Sequence, residues 1–207
     1  MFEEFILPNQ WLPLFKPEFD RLMKQAKQHS MVSRKRMQNL WRLLQRVERD
    51  RVAGDLVELG VARGGTAILI DAVARQSRLE RESWFYDAFE LLPKPDAVFQ
   101  DTHDVLFGQC GCDPQRVHLI KGWVADTVPQ RPPRPIAFMH IDMGGYDPVR
   151  QCLDPLFPLV STGGWVAFDN YGDDDGCHRA VDAFLSERAM TGSLRRFGRT
   201  QVYFQKA

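Results

Sequence analysis

Five short segments of the chain are almost continuously apolar: Leu56-Val-Glu-Leu59, Trp84-Phe-Tyr86, Val117-His-Leu-Ile120, Ile136-Ala-Phe-Met-His-Ile141 and Trp165-Val-Ala-Phe168. A half-exposed strand alternates apolar and polar side chains, so runs of this kind read as strands buried on both faces. Helical patterning follows the first run at residues 66–75 and the last at residues 177–188. Buried strands alternating with helices predict an α/β fold with a mostly parallel sheet covered on both faces. The tail, Leu194-Arg-Arg-Phe197 and Gln201-Val-Tyr-Phe204 around Gly198, reads as two short paired strands.

Ahead of this rhythm, Met37, Leu40, Trp41, Leu44 and Val47 recur at helical spacing, which predicts an amphipathic helix over residues 33–51 capped by Ser33. Residues 1–15 mix prolines and aromatics as an irregular arm, and residues 1–32 together form an N-terminal arm and helix. Residues 91–115 interrupt the pattern with Pro93, Pro95, Gly108, Gly111 and Pro114. Their apolar residues Val98, Phe99, Val105, Leu106 and Phe107 favour a packed, lid-like insertion over a disordered one.

The chain has 207 residues with 27 basic and 27 acidic side chains, enough for one domain over residues 1–207 and without a global pull toward nucleic acid or anionic lipid. Residues 16–51 carry eleven Lys or Arg against four Asp or Glu, but without interleaved aromatics to stack bases this reads as a solvated or partner-facing surface. A homodimer is plausible there. No apolar run approaches membrane length, and the acidic start MFEEF lacks a secretory pattern. Four cysteines make no disulfide framework, and Cys110-Gly-Cys112 with His118 matches no zinc spacing. A cytoplasmic chain with a small-molecule partner, and neither nucleic acid nor membrane, is expected.

Glu58-Leu-Gly60-Val61-Ala-Arg-Gly64-Gly65-Thr66 follows the first strand and opens a helix. Glycines there allow a sharp turn and close backbone approach, although the spacing is not the G-x-G-x-x-G of dinucleotide enzymes. Glu58 at the mouth would repel a pyrophosphate and suits a cationic ligand such as the amino group and sulfonium of S-adenosylmethionine. Asp87 ends the second strand 22 residues past Gly65, close to the ~20-residue offset at which such folds place an acid for ribose hydroxyls. Read separately, Gly64-Gly65 could be only a turn and Asp87 only a cap; in this order and context they favour an adenosyl ligand.

Asp142 ends the fourth strand, and Asp169-Asn170 ends the fifth. If those strands are neighbours, ~4.8 Å apart, three oxygen donors converge. Carboxylates and an amide suit Mg²⁺ or another hard divalent cation. Alternatively each acid merely caps the helix that follows. His140 should point away from the face of Met139 and Ile141, in a structural role. Lys121 is an outside candidate for a base.

Gly54-Asp-Leu-Val-Glu-Leu-Gly-Val-Ala-Arg-Gly-Gly65, Tyr86-Asp-Ala-Phe-Glu-Leu-Leu-Pro93 and Lys121-Gly-Trp-Val-Ala-Asp-Thr-Val-Pro129 resemble the macrocin O-methyltransferase family. So do His140-Ile-Asp142 with Tyr146, Gly163-Gly-Trp-Val-Ala-Phe-Asp-Asn-Tyr-Gly172 and Gly176-Cys-His-Arg-Ala-Val-Asp-Ala-Phe184, in family order. The resemblance implies a class I methyltransferase fold, a Rossmann-like seven-stranded sheet with its last strand antiparallel. It implies methyl transfer from S-adenosylmethionine to a sugar or phenol hydroxyl in natural-product biosynthesis, with Mg²⁺. By the same resemblance, Glu58, Gly60, Val61, Gly64, Gly65 and Thr66 would hold the methionine part of the cofactor. Asp87 would bind its ribose, Gly122 and Trp123 would lie near its adenine, and Phe89 and Asp142 would also belong to the cofactor site. Asp142, Asp169 and Asn170 would hold the metal, with Asp142 catalytic and Tyr146 and Tyr171 lining the acceptor site. Two departures stand out. Gly144 replaces a second acid, and Asp169-Asn170 replaces a pair of acids. An inactive or metal-independent member that binds S-adenosylmethionine is therefore the alternative, while Glu58 argues against a dehydrogenase.

Overall fold

The computed structural model describes residues 16–90, 94–131, 133 and 135–207. The arm at residues 1–15 and the start of the insertion at residues 91–93 lie outside that set. Helices α1 (Lys16–Gln28) and α2 (Arg34–Arg49) precede β1 (Asp55–Leu59), α3 (Gly65–Gln76) and β2 (Ser83–Asp87). The insertion folds as α4 (Pro95–His103) and a π turn (Asp104–Gln109). Then come β3 (Val117–Lys121), α5 (Val124–Gln130), β4 (Ile136–Ile141), α6 (Tyr146–Leu156), β5 (Val160–Phe168), α7 (Asp175–Glu187), β6 (Arg195–Phe197) and β7 (Gln201–Gln205).

The sheet order is β3-β2-β1-β4-β5-β7-β6. Strands β1 to β5 pair in parallel, and β7 runs antiparallel to both β5 and β6. The order reverses between β1 and β4, which opens a crevice at their carboxyl ends, the usual ligand position in open α/β sheets. All five apolar runs are strands, and the paired tail strands are present. The fifth strand starts earlier than its apolar run, because Val160 pairs with Ile136 ahead of the glycines 163 and 164.

Alternation along each strand sorts side chains between two cores. Leu56, Phe138, Trp165 and Ala167 pack toward α1, α2 and α3. Val57, Leu59, Met139, Ile141, Val166 and Phe168 pack toward α6 and α7. Helix α2 buries Met37, Leu40, Leu43, Leu44 and Val47, and the Ser33 hydroxyl accepts the Arg36 N–H at its start. Its far end is fixed by the buried Arg81, which pairs with Glu48 at 2.5 Å and donates to the carbonyls of Val52 and Gly54.

Register places Glu58, His140 and Ala167 abreast on β1, β4 and β5. The next positions, Gly60, Asp142 and Asp169, leave the sheet together. Their spacing is held by Asp142 N–H donating to Leu59 O and Asp169 N–H donating to Ile141 O. Gly60 has φ +91°, and a Cβ there would overlap the carbonyl of Asp142. Gly60→Ala should therefore lower unfolding free energy by ~1–3 kcal/mol in urea titration, from left-handed strain plus the clash. Gly192→Ala, in open space, should stay within about 0.5 kcal/mol of the parent.

Candidate functional site

On the β1–β2 side of the crevice the glycine loop is braced by Asp87. Its Oδ2 accepts the Ala62 N–H at 2.7 Å and its Oδ1 accepts the Phe89 N–H at 2.6 Å. Its carbonyl accepts the Gly122 N–H at 3.0 Å. Each carboxylate oxygen keeps a second lone pair, and the side chain is only half-buried. Gly64 caps α3 in a left-handed conformation without a side-chain partner, so that helix N-terminus opens toward the loop. Val61, Thr66 and Phe89 are buried, while Trp123 is 45% exposed and donates Nε1–H to Glu90.

Not every glycine of the loop faces the crevice. A Cβ on Gly65 would overlap Ser30 and the Ala26 carbonyl at the end of α1, so this residue serves helix docking. The insertion also belongs to the loop's surroundings. Thr102 donates its hydroxyl to the Ala62 carbonyl at 2.8 Å, and Phe99 packs edge-on to Phe89.

On the β4–β5 side a polar cluster lies beneath α2. Glu58 and His140 are fully buried, and Glu58 Oε1 lies 2.8 Å from His140 Nδ1. Glu58 Oε2 and His140 Nε2 have no hydrogen-bond partner among the described residues. His140 faces away from Met139 and Ile141, as the alternation predicts. Burial alone would lower its pKa, but the hydrogen bond and charge of Glu58, with the fields of Asp142 and Asp169, bring it up to about 9. Asp142 is pushed up to about 7, by burial first and the Asp169 charge second, against the opposing His140 and Arg36.

Asp169 is 1% exposed, and both its oxygens are engaged. Oδ2 pairs with Arg36 Nη1 at 2.6 Å, and Oδ1 accepts Gln201 Nε2–H at 2.8 Å. Gln201 in turn accepts from Asn39 Nδ2 at 2.6 Å. Asn170 gives its carbonyl to the N–H groups of Asp173 and Asp174. Asp174 caps α7 through Cys177 N–H and also accepts from Gly145 N–H. A Cβ on Gly144 would lie 2.8 Å from Asp174 Oδ2, so a side chain there requires Asp174 to shift.

Asp142 and Asp169 thus end neighbouring strands, with Asn170 next in the chain, yet the Asp169 carboxylate is not free for a divalent ion. Two carboxylates and an amide suit such an ion in kind, but here Asp169 is committed to Arg36 and Gln201, and Gly144 brings no further carboxylate. Among the described residues no group of three His, Cys, Asp or Glu side chains is arranged to hold a metal.

Other expected residues fall elsewhere. The Tyr171 hydroxyl donates to Asp182 on α7 at 2.7 Å, and its ring joins the core under that helix. Tyr146 begins α6, half-buried, with Arg179 over its ring. Lys121 pairs with Asp96 of the insertion and sits three strand intervals, ~14 Å, from β4. It is not placed to act as a base beside Asp142. Cys110 accepts from Gln25 at 3.2 Å. Arg36, Asn39 and Gln201 were not anticipated; the one sequence trace is a polar Asn39 within the buried face of α2.

The strand order, with the loop after β1 and the acid closing β2, defines a class I methyltransferase fold. The solved O-methyltransferase NovP shares it with TM-score 0.75 and 29% identity, covering 86% of this chain and 82% of that one. CalS11, a TDP-rhamnose 3'-O-methyltransferase of calicheamicin biosynthesis, shares the fold with TM-score 0.61 at 22% identity, over 93% of this chain and 94% of that one. Residues 24–206 match the family model for Macrocin-O-methyltransferase (TylF), and the chain belongs to that family. It is an S-adenosylmethionine-dependent O-methyltransferase. The 8-demethyl-8-(2,3-dimethoxy-alpha-L-rhamnosyl)-tetracenomycin-C 4'-O-methyltransferase of Streptomyces olivaceus is 30% identical, over 86% of this chain and 75% of its own length. The demethyldecarbamoylnovobiocin O-methyltransferase of Streptomyces niveus is 29% identical, over 87% and 77%.

A histidine whose folded pKa exceeds its unfolded one stabilises the fold when protonated. The contribution of His140 is complete below 6.5 and is lost as pH rises to about 9. The raised pKa of Asp142 acts in the same direction, favouring the folded state at lower pH. Unfolding free energy of the parent should fall across that window, and Glu58→Gln should flatten the fall. A level profile for the parent would mean a neutral His140.

Proposed function

We propose that the chain transfers the methyl group of S-adenosylmethionine to a hydroxyl of a small natural product, on a sugar or a phenolic ring. The observation that carries this reading is the half-buried carboxyl of Asp142, at the switch point between the glycine loop and the polar cluster under α2. The acceptors named for the curated relatives, rhamnosyl-tetracenomycin and demethyldecarbamoylnovobiocin, support the substrate class.

In this reading Asp87 binds the ribose hydroxyls, with Phe89 beside them. The loop from Gly60 to Thr66 bounds the methionine part, and Gly122 and Trp123 flank the adenine. Glu58 lies behind the loop, paired with His140, and so holds the end of β4 rather than meeting the donor as an exposed carboxylate. Asp142 takes the proton of the acceptor hydroxyl. The oxygen attacks the methyl carbon in line, and the carbon–sulfur electron pair leaves with S-adenosylhomocysteine. Holding acceptor and methyl in contact supplies much of the rate, and a base with a raised pKa suits the proton transfer. Magnesium is given no step here, because Arg36 and Gln201 already engage the Asp169 carboxylate. The insertion, which reaches the glycine loop through Thr102 and packs Phe99 on Phe89, would shape acceptor choice.

Calorimetric titration tests the cofactor part. The parent should bind S-adenosylmethionine, and Asp87→Ala should weaken it ~10–100-fold, the loss of hydrogen bonds to a charged acceptor. Asp142→Asn should keep binding near the parent's while methyl transfer to a rhamnoside and catechol panel falls roughly 100–10,000-fold. Cofactor binding with no transfer by the parent to any acceptor would favour an inactive member of the family. No cofactor binding by the parent would defeat the proposal.

A further inference from the structure

At the end of β5, Asp169 is where an ion bridging β4 and β5 would need a free carboxylate. That carboxylate is instead closed from the α2 side. Arg36 Nη1 lies 2.6 Å from Oδ2 and also reaches the Asp169 carbonyl at 3.3 Å and Thr200 Oγ1 at 3.2 Å. The other oxygen accepts from Gln201, a side chain with 0% exposure. Gln201 cannot turn its amide without losing Asn39, whose Nδ2–H donates to its Oε1. The relay Asn39 to Gln201 to Asp169 therefore runs in one direction, and it leaves Arg36 as the only positive group on that carboxylate among the described residues.

Two sequence features agree with this closure. Asn170 stands where a second acid would add negative charge, and Gly144 brings no carboxylate into the space bordered by Asp174. A hard divalent cation such as Mg²⁺ is usually held by one or two carboxylates, with neutral oxygens and water completing its shell; with Asp169 engaged by Arg36 and Gln201, Asp142 is the strand-end carboxylate left free at this edge. A guanidinium needs only the one carboxylate, and it is less strongly hydrated than a compact ion, so it can sit partly buried. Arg36 is 22% exposed on its side chain, and every contact it makes with this cluster goes through Nη1. Its Nε and Nη2 make no hydrogen bond among the described residues, so they remain as donors. Asp142 lies one strand away, ~4.8 Å across the sheet.

We propose that Arg36 stands in for the divalent cation at the carboxyl edge of β4 and β5. It neutralises Asp169, and it offers its remaining N–H groups to the acceptor oxygen beside Asp142. This rests on the methyltransferase reading. No covalent bond forms to Arg36. Its role is to hold the acceptor oxygen and to stabilise negative charge on it as the proton passes to Asp142, the work of a preorganised hydrogen-bond donor.

The test counts bound Mn²⁺ by loss of the free-ion paramagnetic signal, on the full chain after EDTA treatment and desalting. The parent and Arg36→Lys, which keeps a positive charge, should leave the signal unchanged up to millimolar protein. Arg36→Ala and Arg36→Met should uncover Asp169 next to Asp142 and gain Mn²⁺ binding at least ~10-fold tighter than the parent's, from release of a charge-assisted contact. Using two neutral variants guards against one failing to fold, and thermal melting checks each. Mn²⁺ binding by the parent as tight as by the neutral variants overturns the proposal, since the ion then displaces Arg36. Silence from folded neutral variants also overturns it, since Arg36 would not be what fills the ion's place. S-adenosylmethionine titration of the parent runs alongside without metal. Its failure would count against the methyltransferase reading and leave the Mn²⁺ result standing by itself.

Discussion

The parallel register of β1, β4 and β5 is the constraint on which the site depends. Because Glu58, His140 and Ala167 lie abreast, the chain leaves three adjacent strands at one level, and Gly60, Asp142 and Asp169 follow together. Backbone hydrogen bonds from Asp142 and Asp169 back to the preceding strand ends continue the ladder one residue past the sheet. A slip of one residue would turn each of these side chains to the opposite core. Gly60 is required for the same reason, since its neighbour across the strand pair is the Asp142 carbonyl.

Bringing acids to one edge beneath a helix creates an electrostatic problem that burial makes worse. Three carboxyl groups, those of Glu58, Asp142 and Asp169, share the space under α2 with two basic groups, Arg36 and His140. Each basic group is held against one acid, and Asp142 is the member left without an ion-pair partner. Burial first and the Asp169 charge second raise its pKa, and the lack of a partner leaves it the group available to take a proton. A buried charge that keeps no partner is costly, so the internal cations are as much a part of the fold as of the site.

The N-terminal helices supply one of those cations, Arg36, and more. Helix α1 docks where Gly65 leaves room for Ser30 and Ala26. Helix α2 is fixed at its end through Glu48 and the buried Arg81, which also holds the turn into β1. The segment before the sheet is therefore packed against the glycine loop at one point and against the β5–β7 edge at another.

The sheet was legible from the sequence because both faces of its central strands are covered. Double burial demands continuous apolar runs, and those runs are visible in one dimension, as are the acids that close them and the Ser33 cap of α2. The adjacency of Asp142 and Asp169 needed only the strand order that the resemblance implied. What the sequence could not disclose was the partner of each charged group. Arg36 and Gln201 are separated by 165 positions in the chain, and nothing in either segment marks them as sharing one carboxylate. Whether Asp169 meets a cation from solution or one from α2 depends on how that helix packs across the sheet. Hydrophobic patterning sets which face of a helix is buried, whereas the pairing of buried charges is decided only when the tertiary fold brings distant side chains to hydrogen-bonding distance.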